Sequence, residues 1–255
     1  MHILEKQTLG AVTGVESDIH RVSELAYARL RHGYDETLLT AIEGKARKLA
    51  RTHPEAQDSD RFLGLRHLRE AQVHVPEIAE LMHDSARLEA LSELAGTRLA
   101  PYPISRAASH LNFYRPGEVP IHFHTDGAAM VELIPLHTSG STQGGATLIY
   151  RGRADEGKDR LARGLDISAA ESVRIPQPRG CSVLMQGRML LHRAESFPDG
   201  ERLTLVLVME AAEEPWKDDN TLMRLLLDDP LDSVLEEWVT QAQRRLALYQ
   251  ARDRT

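Results

Sequence analysis

Cysteine is almost missing: Cys181 is the one thiol in 255 residues. No intrachain disulfide can form, which fits a reducing compartment and an expected cytoplasmic location. Long apolar runs are also missing. None approaches the ~20 consecutive residues of a membrane span. The opening MHILEKQTLGAVTGVESD lacks the basic and then apolar pattern of a signal peptide. Positive charge is in deficit, with 31 Lys and Arg against 38 Asp and Glu and a formal net charge of -7. With no Lys/Arg-rich stripe, neither a nucleic-acid backbone nor an anionic membrane is the expected partner. Internal repeats and low-complexity tracts are lacking. What remains is 42% hydrophobic and 27% charged, an ordinary globular balance in a chain long enough for a sizeable core.

The pattern of the chain changes near residue 100. Before it, three segments have helical spacing. SDIHRVSELAYARLRHG offers Ser17 or Asp18 as a cap, Ile19, Val22, Leu25, Ala26 and Leu30 as the apolar stripe, and Gly33 as the stop. DETLLTAIEGKARKLARTH and PEIAELMHDSARLEALSELAG follow, the latter with Pro76 at its start and Gly96 at its end. From about residue 100, short segments such as SHLNFY, VPIHFHTD, AAMVELIPLH, ATLIYRG, CSVLMQG and ERLTLVLVME alternate with Gly/Pro turns. Many short strands suggest a sandwich or a barrel-like jelly roll. Helical spacing returns after Met209, broken at Pro230. The expected class is α+β in a single domain: a helical region over about 1–99, a β core over 100–212, and C-terminal helices over 213–255.

The stretch VPIHFHTDG concentrates the chemistry. If it is a strand, His122, His124 and Asp126 share a face, because strand side chains alternate. His192 follows 66 residues after Asp126, and Arg202 ten residues after that, opening the apolar segment RLTLVLVME. Two histidines and a carboxylate form the facial triad of non-haem Fe(II) oxygenases, which leaves half of an octahedral shell open. In RLTLVLV, Arg202 and Thr204 share one face with Val206 and Val208, opposite the leucines. A guanidinium turned into a barrel needs an anion, because a buried unpaired charge is costly.

His124-x-Asp126, His192 and Arg202 in this order and spacing resemble the Fe(II)/2-oxoglutarate-dependent dioxygenases. The resemblance implies a double-stranded β-helix core, metal ligation by His124, Asp126 and His192, and 2-oxoglutarate and O2 as co-substrates. Oxidative decarboxylation to succinate and CO2 would be coupled to attack on an unactivated C–H bond. Arg202 and Thr204 would bind the distal carboxylate of 2-oxoglutarate, and Asn112 and Tyr114 in HLNFYRPGE resemble pocket residues of some members. The long N-terminal region, HLNFYRPGEVPIHFHTDG and PRGCSVLMQGRMLLHRAE are similar to a bacterial subgroup of free-amino-acid hydroxylases and radical halogenases. Halogenases replace the metal-binding carboxylate with a small residue. Asp126 therefore points to a hydroxylase. His122, Glu132, Arg66 (or Arg69) and Trp238, with Trp216 beside it, are the candidate substrate contacts. A nucleic-acid or protein side-chain oxygenase of the same fold, and a non-oxidative metal-dependent cupin, are the rival readings.

Overall fold

The computed structural model describes residues 1–16, 18–54, 65–140 and 144–252, so Ser17 lies outside the described residues. The strands are β1 (His2–Thr8), β2 (Leu25–Arg31), β3 (Leu65–Arg69), β4 (Leu99–Pro101), β5 (Ser109–Tyr114), β6 (Met130–Thr138), β7 (Thr147–Tyr150), β8 (Ser172–Ile175), β9 (Cys181–Met185), β10 (His192–Ala194) and β11 (Arg202–Ala211). The helices are α1 (Leu9–Thr13), α2 (Glu36–Thr52), α3 (Ala71–His74), α4 (Pro76–Met82), α5 (Ser85–Ala95), α6 (Ser105–Ala108), α7 (Ala154–Ala162), α8 (Leu222–Leu225) and α9 (Leu231–Arg252). The large sheet runs β1-β2-β9-β6-β11-β5-β3, with β4 pairing the end of β11, and the small sheet runs β10-β7-β8. Every pairing is antiparallel. The α+β class expected from the sequence is the class observed.

β11 is the spine of the large sheet. All ten of its residues are buried, and it pairs with both β5 and β6. Its leucines, Leu203, Leu205 and Leu207, belong to the main apolar cluster with Leu39, Ile42 and Leu68. Each such burial is worth roughly 1.5–3 kcal/mol. α2 forms as its spacing predicts: Leu39, Ile42 and Ala46 make one buried stripe, and the Asp35 side chain accepts from Thr37 N at 2.7 Å.

The first hundred residues are not the helical region the spacing suggested, because β1, β2 and β3 extend the large sheet there. Leu25, Ala26 and Leu30, read as a helical stripe, lie on β2. That strand is apolar on both faces: Leu25, Ala28 and Leu30 pack into one cluster and Ala26 and Tyr27 into another. A strand covered on both sides loses its alternation, so its period misleads. The expected helix over 76–96 is two helices. Asp84 accepts from Arg87 N at 3.0 Å and caps α5, which ends α4 just before it. VPIHFHTD is not a strand; within it only His124 makes a β-bridge. No helix among the described residues is long and apolar enough to cross a membrane.

Candidate active site

His124 and His192 are one antiparallel bridge pair. His124 N donates to His192 O and His192 N to His124 O, both at 2.9 Å. Residues directly opposite in such a pair carry their side chains on the same face, and the two rings lie 4.4 Å apart. Each Nδ1 lies 2.9 Å from a carbonyl oxygen two residues upstream, His122 O or Leu190 O. A carbonyl only accepts, so each Nδ1 carries the proton and each Nε2 presents a lone pair. Asp126 is held by its own N–H, which donates to Gly187 O at 3.0 Å. Its Oδ1 lies 3.7 Å from both Nε2 atoms. That is too long for a hydrogen bond. One ligand atom from each of the three residues falls within 4.8 Å of the others. Burial and the neighbouring His192 lower the pKa of His124 to about 4, so its imidazole is neutral at physiological pH.

Arg202 is 4% exposed and has no carboxylate partner among the described residues. Its Nη2 donates to Gln177 Oε1 at 3.0 Å, and its guanidinium lies 4.3 Å over the Tyr114 ring. Nε and Nη1 of Arg202 and Oγ1 of Thr204 are buried without a partner. Burial lowers the Arg202 pKa, the mark of a charge taken from water without its counter-ion. The register of the sheet arranges its surroundings in rows: Arg202 beside Tyr114, Thr204 beside Asn112 and then His67, and Val206 beside His110 and then Arg69. His67 Nδ1 lies 3.2 Å from Asn112 Oδ1, whose Nδ2 donates to the Tyr114 hydroxyl at 3.5 Å.

Both groups of residues line one cavity of about 220 Å³ between the two sheets. Val131, Leu133, Met185, Val206 and Val208 make an apolar wall, and Asn220, Arg224, Leu225 and Asp228 form the roof. The two histidines, Asp126, Arg202, Asn112 and Tyr114 border this space.

Of the expected substrate contacts, His122, Glu132, Arg66 and Trp238 do not border it, whereas Arg69, the alternative to Arg66, does. The His122 side chain is exposed, and its carbonyl is the part that meets His124. Glu132 faces the opposite side of β6, because the chain between Asp126 and Met130 bends and breaks the assumed alternation. There it is fully buried, accepting from Arg87 Nη2 at 2.7 Å and from the Tyr34 hydroxyl at 2.7 Å. Arg66 alternates away from the cavity and lies 6.0 Å over Phe113, while its neighbours Leu65 and His67 point in. Trp238 donates from Nε1 to Asn220 O at 3.1 Å and braces the roof from behind. Trp216 lies in a T-shaped contact with Tyr249, away from the cavity. Gln177, His67, Arg224 and Asp228 went unnoticed in the sequence because no short spacing links them to the histidines.

No family model matches the chain, and no curated protein matches it. Solved structures do. HygX from Streptomyces hygroscopicus, with nickel and 2-oxoglutarate bound, superposes with a TM-score of 0.55 at 12% identity, over 73% of this chain and 83% of that one. The non-heme alpha ketoglutarate dependent carbocyclase SnoK from nogalamycin biosynthesis gives 0.54 at 17% identity, over 73% and 80%. A prolyl-4-hydroxylase of Pseudomonas putida gives 0.50 at 13%, over 72% and 92%. At these identities the likeness is one of fold, and it makes the two-sheet core of this chain a double-stranded β-helix.

Proposed function

We propose that this chain is an Fe(II)- and 2-oxoglutarate-dependent dioxygenase that hydroxylates an unactivated C–H bond of a small molecule, a free amino acid. The observation that carries this reading is one cavity holding two kinds of unmet demand. His124, Asp126 and His192 converge with their lone pairs facing one another, and Arg202 and Thr204 leave buried donors without an acceptor beside them. The three converging side chains would hold Fe(II). Arg202 and Thr204 would take the distal carboxylate of 2-oxoglutarate, since a guanidinium fork matches a carboxylate. When bound, iron and 2-oxoglutarate supply the oxidation: substrate R–H, 2-oxoglutarate and O2 give R–OH, succinate and CO2.

The chain's own part is positioning and exclusion of water. The carbonyls of His122 and Leu190 orient the imidazoles, and Gln177 steadies the guanidinium. The apolar wall keeps water from the reacting carbon. Asp126 supports hydroxylation over halogenation because its carboxylate fills the position a halide would need. The cavity is smaller than the roughly 300–1,000 Å³ of drug-sized sites, which supports a small substrate over a nucleic acid or a folded protein. A cytoplasmic location belongs to the same reading.

The test is succinate release from 2-oxoglutarate with Fe(II) and ascorbate across a panel of free amino acids. Stimulation by at least one of them is expected. Absence of any 2-oxoglutarate binding to the metal-loaded protein would discard the whole reading, whereas binding without stimulation would discard the substrate alone.

A further inference from the structure

Four arginines line the cavity: Arg69, Arg193, Arg202 and Arg224. Arg69 donates from Nε to Asp229 Oδ1 at 2.9 Å, with its Nη2 2.7 Å from Oδ2. The Arg193 guanidinium lies 4.7 Å over Phe123, and its Nε is buried without a partner. Arg202 faces the 2-oxoglutarate end. Arg224 is the one of the four that belongs to the roof. Its side chain donates from Nη2 to the carbonyl of Thr125, between the two converging residues His124 and Asp126, and it pairs with no carboxylate among the described residues.

Asp228 lies four residues after Arg224, in the turn that follows α8, and lines the same cavity. It lies 3.7 Å from Arg69 Nη1, and its side chain is 33% exposed. The shorter contacts of Arg69 go to Asp229, which also accepts from Arg106 Nε at 2.8 Å. Arg224 and Asp228 both line the upper cavity, one positive and one negative. With iron and 2-oxoglutarate in place, their charges balance those of Asp126 and Arg202, the half-buried His67 and His110 are neutral, and Arg193 keeps its charge beside Phe123. Below the roof, the wall of Val131, Leu133, Met185, Val206 and Val208 carries no charge.

We propose that this roof reads the backbone of an α-amino acid: Arg224 pairs with the α-carboxylate, Asp228 with the α-ammonium, and the apolar wall takes an aliphatic side chain. The proposal deepens the dioxygenase reading and rests on it. A side-chain ammonium would find no carboxylate along the wall, so lysine and other charged side chains are disfavoured.

The experiment is calorimetric titration, without oxygen, of protein loaded with Ni(II) and 2-oxoglutarate. The probes are L-leucine, L-isoleucine and L-norleucine. Controls are leucinamide, which lacks the carboxylate, 4-methylpentanoate, which lacks the ammonium, and L-lysine. At least one aliphatic amino acid should bind at least ten-fold more tightly than each control. Arg224→Gln should weaken that amino acid at least ten-fold and abolish the preference for acid over amide. Asp228→Asn should abolish the preference over 4-methylpentanoate. An amide bound as tightly as the acid, lysine bound best, or Arg224→Gln and Arg224→Lys both binding like the native protein would overturn the proposal. So would no binding of any aliphatic amino acid to a protein that does take up Ni(II) and 2-oxoglutarate. Failure to take up those two would instead overturn the dioxygenase reading, and the probe comparison on the native protein needs no variant to fold.

Discussion

A Cβ built on Gly187 would lie 1.8 Å from Oδ2 of Asp126. The bare backbone there is what lets the carboxylate lie between the two imidazoles. Gly187→Ala should therefore displace Asp126 and weaken metal binding by about ten-fold or more, the range for disturbed supports of metal ligands. Metal titration checks this, with circular dichroism showing whether the fold persists; unchanged affinity would mean that Asp126 has room to retreat. At the other end of the cavity, Arg202→Ala removes the charged donors facing Thr204. The 2-oxoglutarate affinity should fall by about 10- to 100-fold, the worth of hydrogen bonds to a charged group. An unchanged dissociation constant would remove Arg202 from that role.

Strand β6 presents different chemistry to its two sides. Val131 and Leu133 line the cavity, while Glu132 between them is locked to Arg87 of α5 and to Tyr34. This buried pair ties α5 to the large sheet. Arg87→Leu would leave Glu132 buried without its cation, which costs about 3–5 kcal/mol. The measured outcome should be a large loss in denaturant midpoint, with 2-oxoglutarate affinity of the folded fraction unchanged. A loss of cofactor affinity instead would mean that Glu132 communicates with the cavity. The roof is tied down in a comparable way. Asp229 joins the segment after α8 to Arg69 of β3 and Arg106 of α6. Asn220 packs so closely on Gly127 that a Cβ there would meet its Oδ1 at 1.7 Å. The roof and the loop bearing Asp126 are thus one packed unit.

For the protein as a whole, half-buried histidines lower stability in acid. Burial and the nearby Arg69 lower the His67 pKa to about 4, and burial holds His110 well below its ordinary value. In the unfolded chain both titrate near 6.5. Below that pH the unfolded state binds more protons, so stability is full above about pH 6.5 and is lost as the pH falls toward 4. Thermal unfolding followed between pH 7.5 and 5 should show a falling Tm, and replacing both histidines by Asn should flatten that slope. A native Tm constant over the range would contradict their neutral burial.

Several features were legible in the residues alone. The α2 stripe, the alternation along RLTLVLV and the donor types at positions 124, 126, 192 and 202 are local facts, recorded by spacing within one element. The convergence of His124 with His192 could be expected from chemistry, but it is achieved by a single antiparallel bridge between segments 68 residues apart. What short-range pattern could not record was which face of an element meets the cavity. The bend after Asp126 turned Glu132 away, alternation on β3 exchanged Arg66 for His67, and coverage of both faces disguised β2 as a helix. Such outcomes depend on partners distant in sequence, because a side chain's surroundings are set by what packs against its strand rather than by its neighbours along the chain.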